Sequence, residues 1–191
     1  MINRSDKNFT TFTCAMILLL WIGATAVFAQ ERQRKPESIS TEPKLLVVEL
    51  KTADGKTVKI SGEAVFKLEE ANSDDTMAGN LTYSISSDSR QEVARVMDKT
   101  LTEIPERVAI KDVVVGFVRI ASCPDLEVEF FTKEVEIAGA KAHLDRSRLT
   151  FRETSQDLSR LLCAWARRIS VGRGGASIRA INRRLKGEND E

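Results

Sequence analysis

From Lys44 to Leu50 the chain reads Lys-Leu-Leu-Val-Val-Glu-Leu, a largely apolar run that suits a strand. It meets Thr52-Ala53-Asp54-Gly55-Lys56, where Asp-Gly supplies the positive backbone angles of a tight hairpin. The return strand places Val58, Ile60, Ala64, Phe66 and Leu68 on one face and Lys59, Glu63, Lys67 and Glu69 on the other, and Gly62 predicts a bulge or bend. Glu70 to Asn80 reads as a loop. Its Asn72-Ser73-Asp74-Asp75 run resembles an oxygen-rich calcium loop but lacks the ligand spacing and terminal Glu of an EF-hand, so a solvated turn is the simpler account. Leu81 to Ile85 alternates as a strand again.

The period then changes. Val93, Val96, Met97, Leu101 and Ile104 recur at helical spacing until Pro105, and Ser89 with Glu92 forms a capping box, which together predict a helix over 90–102. Val108 to Ile110 and Val113 to Val118 return to strand, the second run apolar on both parities and therefore expected to be covered on both faces. After the turn Ser122-Cys123-Pro124-Asp125, Leu126, Val128 and Phe130 alternate with Glu127 and Glu129. At Phe131-Thr132 the parity flips, so that Val135 and Ile137 point inward and Glu134 and Glu136 outward, as a bulge or tight turn would produce. Ala138-Gly139-Ala140 breaks the chain before a weaker strand ending near Phe151.

Thr154 with Asp157 can cap a helix whose stripe is Leu158, Leu161, Leu162, Trp165 and Ile169, with Cys163 well round from it. Gly172-Arg173-Gly174-Gly175 ends it, and a short last helix carries Ile178, Ile181 and Leu185 against Arg179, Arg183, Arg184 and Lys186. The pattern predicts an α+β single domain over 44–187: a largely antiparallel sheet with one packed helix and two C-terminal helices. A β-sandwich with peripheral helices is the competing architecture. Residues 30–43, polar and holding Pro36 and Pro43, read as a flexible linker, and 188–191 as an acidic tail.

Ahead of all this, Ala15 to Ala29 is unbroken apolar sequence, preceded by Arg4 and Lys7 and ending Val27-Phe28-Ala29. These are the marks of a signal peptide over 1–29, since a spanning helix needs about twenty apolar residues. The expectation is export to a periplasmic or secreted location, the alternative being an uncleaved N-terminal anchor. Cys14 precedes the apolar core, the wrong side for a lipoprotein cysteine. In an oxidising compartment the two remaining cysteines, Cys123 and Cys163, read as one disulfide, which would remove about 4 kcal/mol of unfolded-state freedom. Two separate thiols, one of them buried, is the other reading.

Composition adds little, at 42% hydrophobic and 30% charged, except through where the charge lies. Leu158 to Gly187 holds eight basic residues and no acidic one. Arg167, Arg168, Arg173, Arg179, Arg183, Arg184 and Lys186 are therefore candidates for contact with an anionic lipid surface, a polyanionic glycan or an acidic protein face. Nucleic acid ranks below these because export removes the chain from most of it. The other reading pairs these arginines with Glu127, Glu129, Glu134 and Glu136 of the same molecule. The Gly172–Gly175 loop could present backbone N–H groups to an anion, although glycine as helix terminator accounts for it more simply.

Catalytic inventory is thin. His143 is the only histidine, sharing a strand face with Lys141 and Asp145 and imaginable as a base for Ser147, but no Gly-x-Ser-x-Gly elbow is present. The glutamate pairs fall on the solvent phase of their strands. No metal or cofactor site is predicted. The function expected is an exported non-catalytic binding or structural protein of the cell envelope or extracellular space. A small secreted hydrolase using His143 or paired carboxylates is the alternative.

Overall fold

The structure, a computed structural model, describes residues 35–119, 125–152, 157–169 and 175–188. The elements are β1 (Lys44–Lys51), β2 (Thr57–Ala71), β3 (Thr76–Ile85), helix α1 (Ser87–Met97), a 3-10 turn (Leu101–Glu103), β4 (Arg107–Arg119), β5 (Asp125–Phe130), β6 (Lys133–Ile137), β7 (Ala140–Leu144), β8 (Ser147–Arg152), α2 (Asp157–Ile169) and α3 (Gly175–Lys186). All eight strands belong to one antiparallel sheet in the order β6-β7-β1-β2-β3-β4-β5-β8. With its helices it makes the α+β domain that the patterning predicts.

The sheet curls until its two edges meet through the chain itself. β5 runs into β6 across Phe131-Thr132, and β7 runs into β8 across Asp145-Arg146. These four strands therefore form one long bent hairpin: its β5 and β8 half joins the sheet at β4, and its β6 and β7 half joins it at β1. The parity flip at Phe131 is this bend. Val128 and Phe130 before it and Ile137 after it are all buried.

The inner face is apolar and the outer face wet. Along β2, Val58, Ile60, Ala64, Phe66 and Leu68 are buried while Lys59, Glu63, Lys67 and Glu69 are exposed, as expected. Each fully buried large side chain of that face contributes about 1.5–3 kcal/mol through surface removed from water. The 52–56 turn is present as expected, but only Gly55, at φ 83°, takes a positive angle and Asp54 does not.

Several expectations are corrected. Gly62 is not a bulge, since the β1 ladder runs through it in register and the β3 ladder ends on it opposite Ile85 without a shift. A Cβ there would lie 2.4 Å from the Ser84 carbonyl oxygen and 2.8 Å from the Tyr83 ring, so close approach explains the glycine. The expected 70–80 loop is mostly strand: only residues 72–75 turn, and the irregularities fall between Leu68 and Glu70 and between Gly79 and Leu81. Helix α1 starts three residues earlier than expected and ends earlier, with Asp98 in the left-handed region at φ 52°. Its cap is Ser86, not Ser89, which is buried and accepts from the Ser61 N–H. The capping box of this region is Thr100 with Glu103, on the 3-10 turn. The second face of Val113 to Val118 is only partly covered: Val113 and Val115 are buried, while Gly116 and Val118 are half-buried and Val114 is 38% exposed.

Residues 35–43 are the largest correction, being part of the domain and not a linker. Thr41 N–H donates to the Phe66 carbonyl, Thr41 Oγ1 accepts from Phe66 N–H, and Leu68 N–H donates to the Ile39 carbonyl. Ile39 and Thr41 are both buried. Composition undervalued this segment because one buried apolar side chain, Ile39, and hydrogen bonds to the backbone of Phe66, Leu68, Thr150 and Arg184 suffice to tie it down. Residues 30–34 and 189–191, with the leader, lie outside the described residues.

Candidate anion-binding surface

Helices α2 and α3 pack together near the Ala71 end of β2. Helix α2 buries a broad face, Leu158, Ser159, Leu162, Cys163, Trp165 and Ala166, wide enough to include the cysteine expected to lie off the stripe. Trp165 is fully buried, its ring 5.1 Å edge-on from Phe117. Helix α3 buries Ile181 completely and anchors itself through Asn182, whose side-chain oxygen accepts from Ala71 N–H at 2.8 Å while its amide donates to the Ala71 carbonyl at 2.9 Å. That two-point contact copies a strand neighbour, and Asn182 had no signal in the sequence pattern.

The basic residues of these helices divide by the way they point. Arg184 faces inward, its side chain 13% exposed, with Nη1 3.6 Å from both Glu37 and Asp157. Glu37 uses its other oxygen to accept from Leu158 N–H at 3.1 Å, satisfying one of the bare donors at the start of α2. Arg168 Nη1 donates to Ser177 Oγ at 3.1 Å, tying α2 to the first turn of α3. Arg167, Arg168, Arg179 and Lys186 are exposed, and Arg173 lies outside the described residues.

Arg183 is intermediate. Its Nε is sealed from solvent with no hydrogen-bond acceptor among the described residues, and the side chain borders a shallow groove shared with Arg179, Asn182 and Glu188. A buried N–H without an acceptor costs about 1–3 kcal/mol. No carboxylate among the described residues lies within ion-pair distance of Arg179, Arg183 or Lys186.

Among the described residues the acidic sheet face does not pair with these arginines. Glu129 pairs with Arg146 at 2.8 Å and Arg148 at 3.9 Å, both on the hairpin itself, and Glu134 and Glu136 are exposed. His143 is also on the wet face, opposite Glu49 and Glu134 in the ladders, with Nε2 3.5 Å from Asp145. It makes no hydrogen bond to a serine among the described residues. Asp74 of the supposed ion loop accepts from Thr76, whose hydroxyl holds that carboxyl below its usual range. Among the described residues no three His, Cys, Asp or Glu side chains converge as metal ligands, and no helix is long and apolar enough to cross a membrane. Cys123 lies outside the described residues, as do Thr154 and Gly172 to Gly174.

No family model matches this chain, and neither the curated proteins nor the solved structures yield a match.

Proposed function

We propose that this chain is an exported, non-catalytic binding protein that receives an anionic group of its partner on the outer face of α2 and α3. The observation that supports it most directly is the Arg183 donor beside the Arg179 groove, in a helix pair that carries only basic charge from Leu158 to Gly187. An anion there would gain charge-assisted hydrogen bonds from a partly desolvated guanidinium. The hydrolase alternative has weaker support, because His143 and the glutamates stand on an open sheet face and not in a cleft.

The test is binding of the full chain to heparin-like resin and to vesicles rich in phosphatidylglycerol, at low and high salt. Arg179→Glu with Arg183→Glu should lower affinity more than tenfold and flatten the salt dependence, with the melting temperature kept. Retained binding in that double variant would refute the proposal. Export and the Cys123–Cys163 bond belong to the same proposal. Intact mass of protein made with its leader in a secreting host should show loss of residues 1–29 and of two hydrogens; a retained Met1 or two alkylatable thiols would overturn the respective half.

A further inference from the structure

Helix α3 ends by turning its chain back. Gly187 sits in the left-handed region at φ 73°, its N–H donates to the Arg184 carbonyl at 3.2 Å, and the Glu188 N–H donates to the Arg183 carbonyl at 2.9 Å. Two carbonyls that the helix leaves bare are satisfied this way. The turn also decides where Glu188 goes. It lines the shallow groove of Arg179, Asn182 and Arg183, although Arg179 lies about two and a half turns earlier in the helix at roughly 3.6 residues per turn.

Opposite charges border that groove. Arg179 and Lys186 are exposed and Arg183 is half-buried, with no carboxylate of the described residues at ion-pair distance from any of the three. Glu188 is exposed and likewise makes no ion pair among the described residues. Asn189-Asp190-Glu191 follows it and adds two carboxylates. These residues reach at most about 10 Å from Glu188, roughly one screening length at about 0.1 M salt. Carboxylates at the C-terminal end of a helix face the negative end of its dipole, so leaving the axis for the flanking arginines is favoured.

Resting on the anion-binding role of this face, we propose that residues 188–191 close over the Arg179–Arg183 groove as a competitor carried by the chain itself. The carboxylates of Glu188, Asp190 and Glu191 then stand against the cations of Arg179, Arg183 and Lys186, so the closed face is near neutral and the open one strongly positive. A tail attached within a few residues of its site acts at about millimolar local concentration. An outside anion binds only the open fraction, so every anion loses the same factor in apparent affinity. Single phosphates and carboxylates, weak to begin with, fall out of range, and a polyvalent anion retains enough affinity to open the groove.

The full chain is compared with two triple variants. Glu188→Gln with Asp190→Asn and Glu191→Gln keeps the tail's length without its charge, and Glu63→Gln with Glu134→Gln and Glu136→Gln is a control that removes as many exposed charges from the sheet face. Without any ligand, the tail variant should shift the NMR signals of the Arg179 and Arg183 Nε–Hε groups and leave that of Arg95, bonded to Glu92 on α1, where it was. It should then bind both heparin and inorganic phosphate about fivefold more tightly than the control does, at unchanged melting temperature. Unmoved arginine signals, affinities equal to those of the control, or weaker binding in the tail variant would each overturn the proposal. The ligand-free signals would move even in a chain that binds no anion, an outcome that sinks the anion-binding role and leaves the tail closure standing.

Discussion

Tyr83 shows how a single side chain organises the inner face. It is fully buried, and its hydroxyl proton is shared between the Leu46 and Ile60 carbonyls, at 3.2 and 3.1 Å. The ring passes over Gly62 to get there, which is why no Cβ fits. Burial pushes the phenol up to about 12. The folded protein thus holds its proton where the unfolded chain, at about 10, gives it up, so this group's contribution is intact below pH 10 and is lost as pH rises toward 12. Tyr83→Phe should cost about 1–2 kcal/mol in urea unfolding at neutral pH and should also remove this part of the alkaline decline. A variant as stable as the parent with the same alkaline slope would show that the hydroxyl does neither. Gly62 was legible as a special position, but its reason was not, because the atoms it avoids belong to residues 83 and 84.

At the scale of elements, the last helix was readable as amphipathic and basic, yet the division of its arginines was not. Arg184 is held by Glu37, far upstream in a segment whose composition reads as linker, and no local pattern couples the two. Removing one member of a largely buried pair strands the other, and here Glu37 would also keep the start of α2 without its counter-charge. Arg184→Ala should therefore lower stability by about 2 kcal/mol, after allowance for partial exposure, while Arg179→Ala should stay within about 0.5 kcal/mol. Urea midpoints of the two variants decide it; equal effects would mean that Arg184 is a surface charge like its neighbour. The strands were more legible than the helices' charges, since alternation at period two states directly which face is buried. It failed at residues 70–80, where polar side chains on one parity hid the apolar Ala71 and Met77 on the other.

For the whole molecule, the α+β class and the antiparallel sheet were visible in the sequence, and the parity flip at Phe131 marked the bend. The use of that bend was not visible. Which strand pairs with which edge is fixed by curvature summed over the entire sheet, so nothing near Phe131 or Asp145 announces that one hairpin will serve both β4 and β1.

The closing contact also sets a timetable. Glu49 meets His143 only after nearly a hundred intervening residues are in place. Until then β1 is held by its local hairpin with β2 alone, and its other edge is bare along its whole length. Contacts so distant along the chain cost loop entropy before they return anything, so a molecule closed this way belongs with the slow folders, in milliseconds to seconds. During synthesis β1 emerges early and β7 late. The interval between them is when Leu45 and Val47 are most open to a wrong partner, and the two Lys residues that bracket the strand, Lys44 and Lys51, are the charges placed to discourage one.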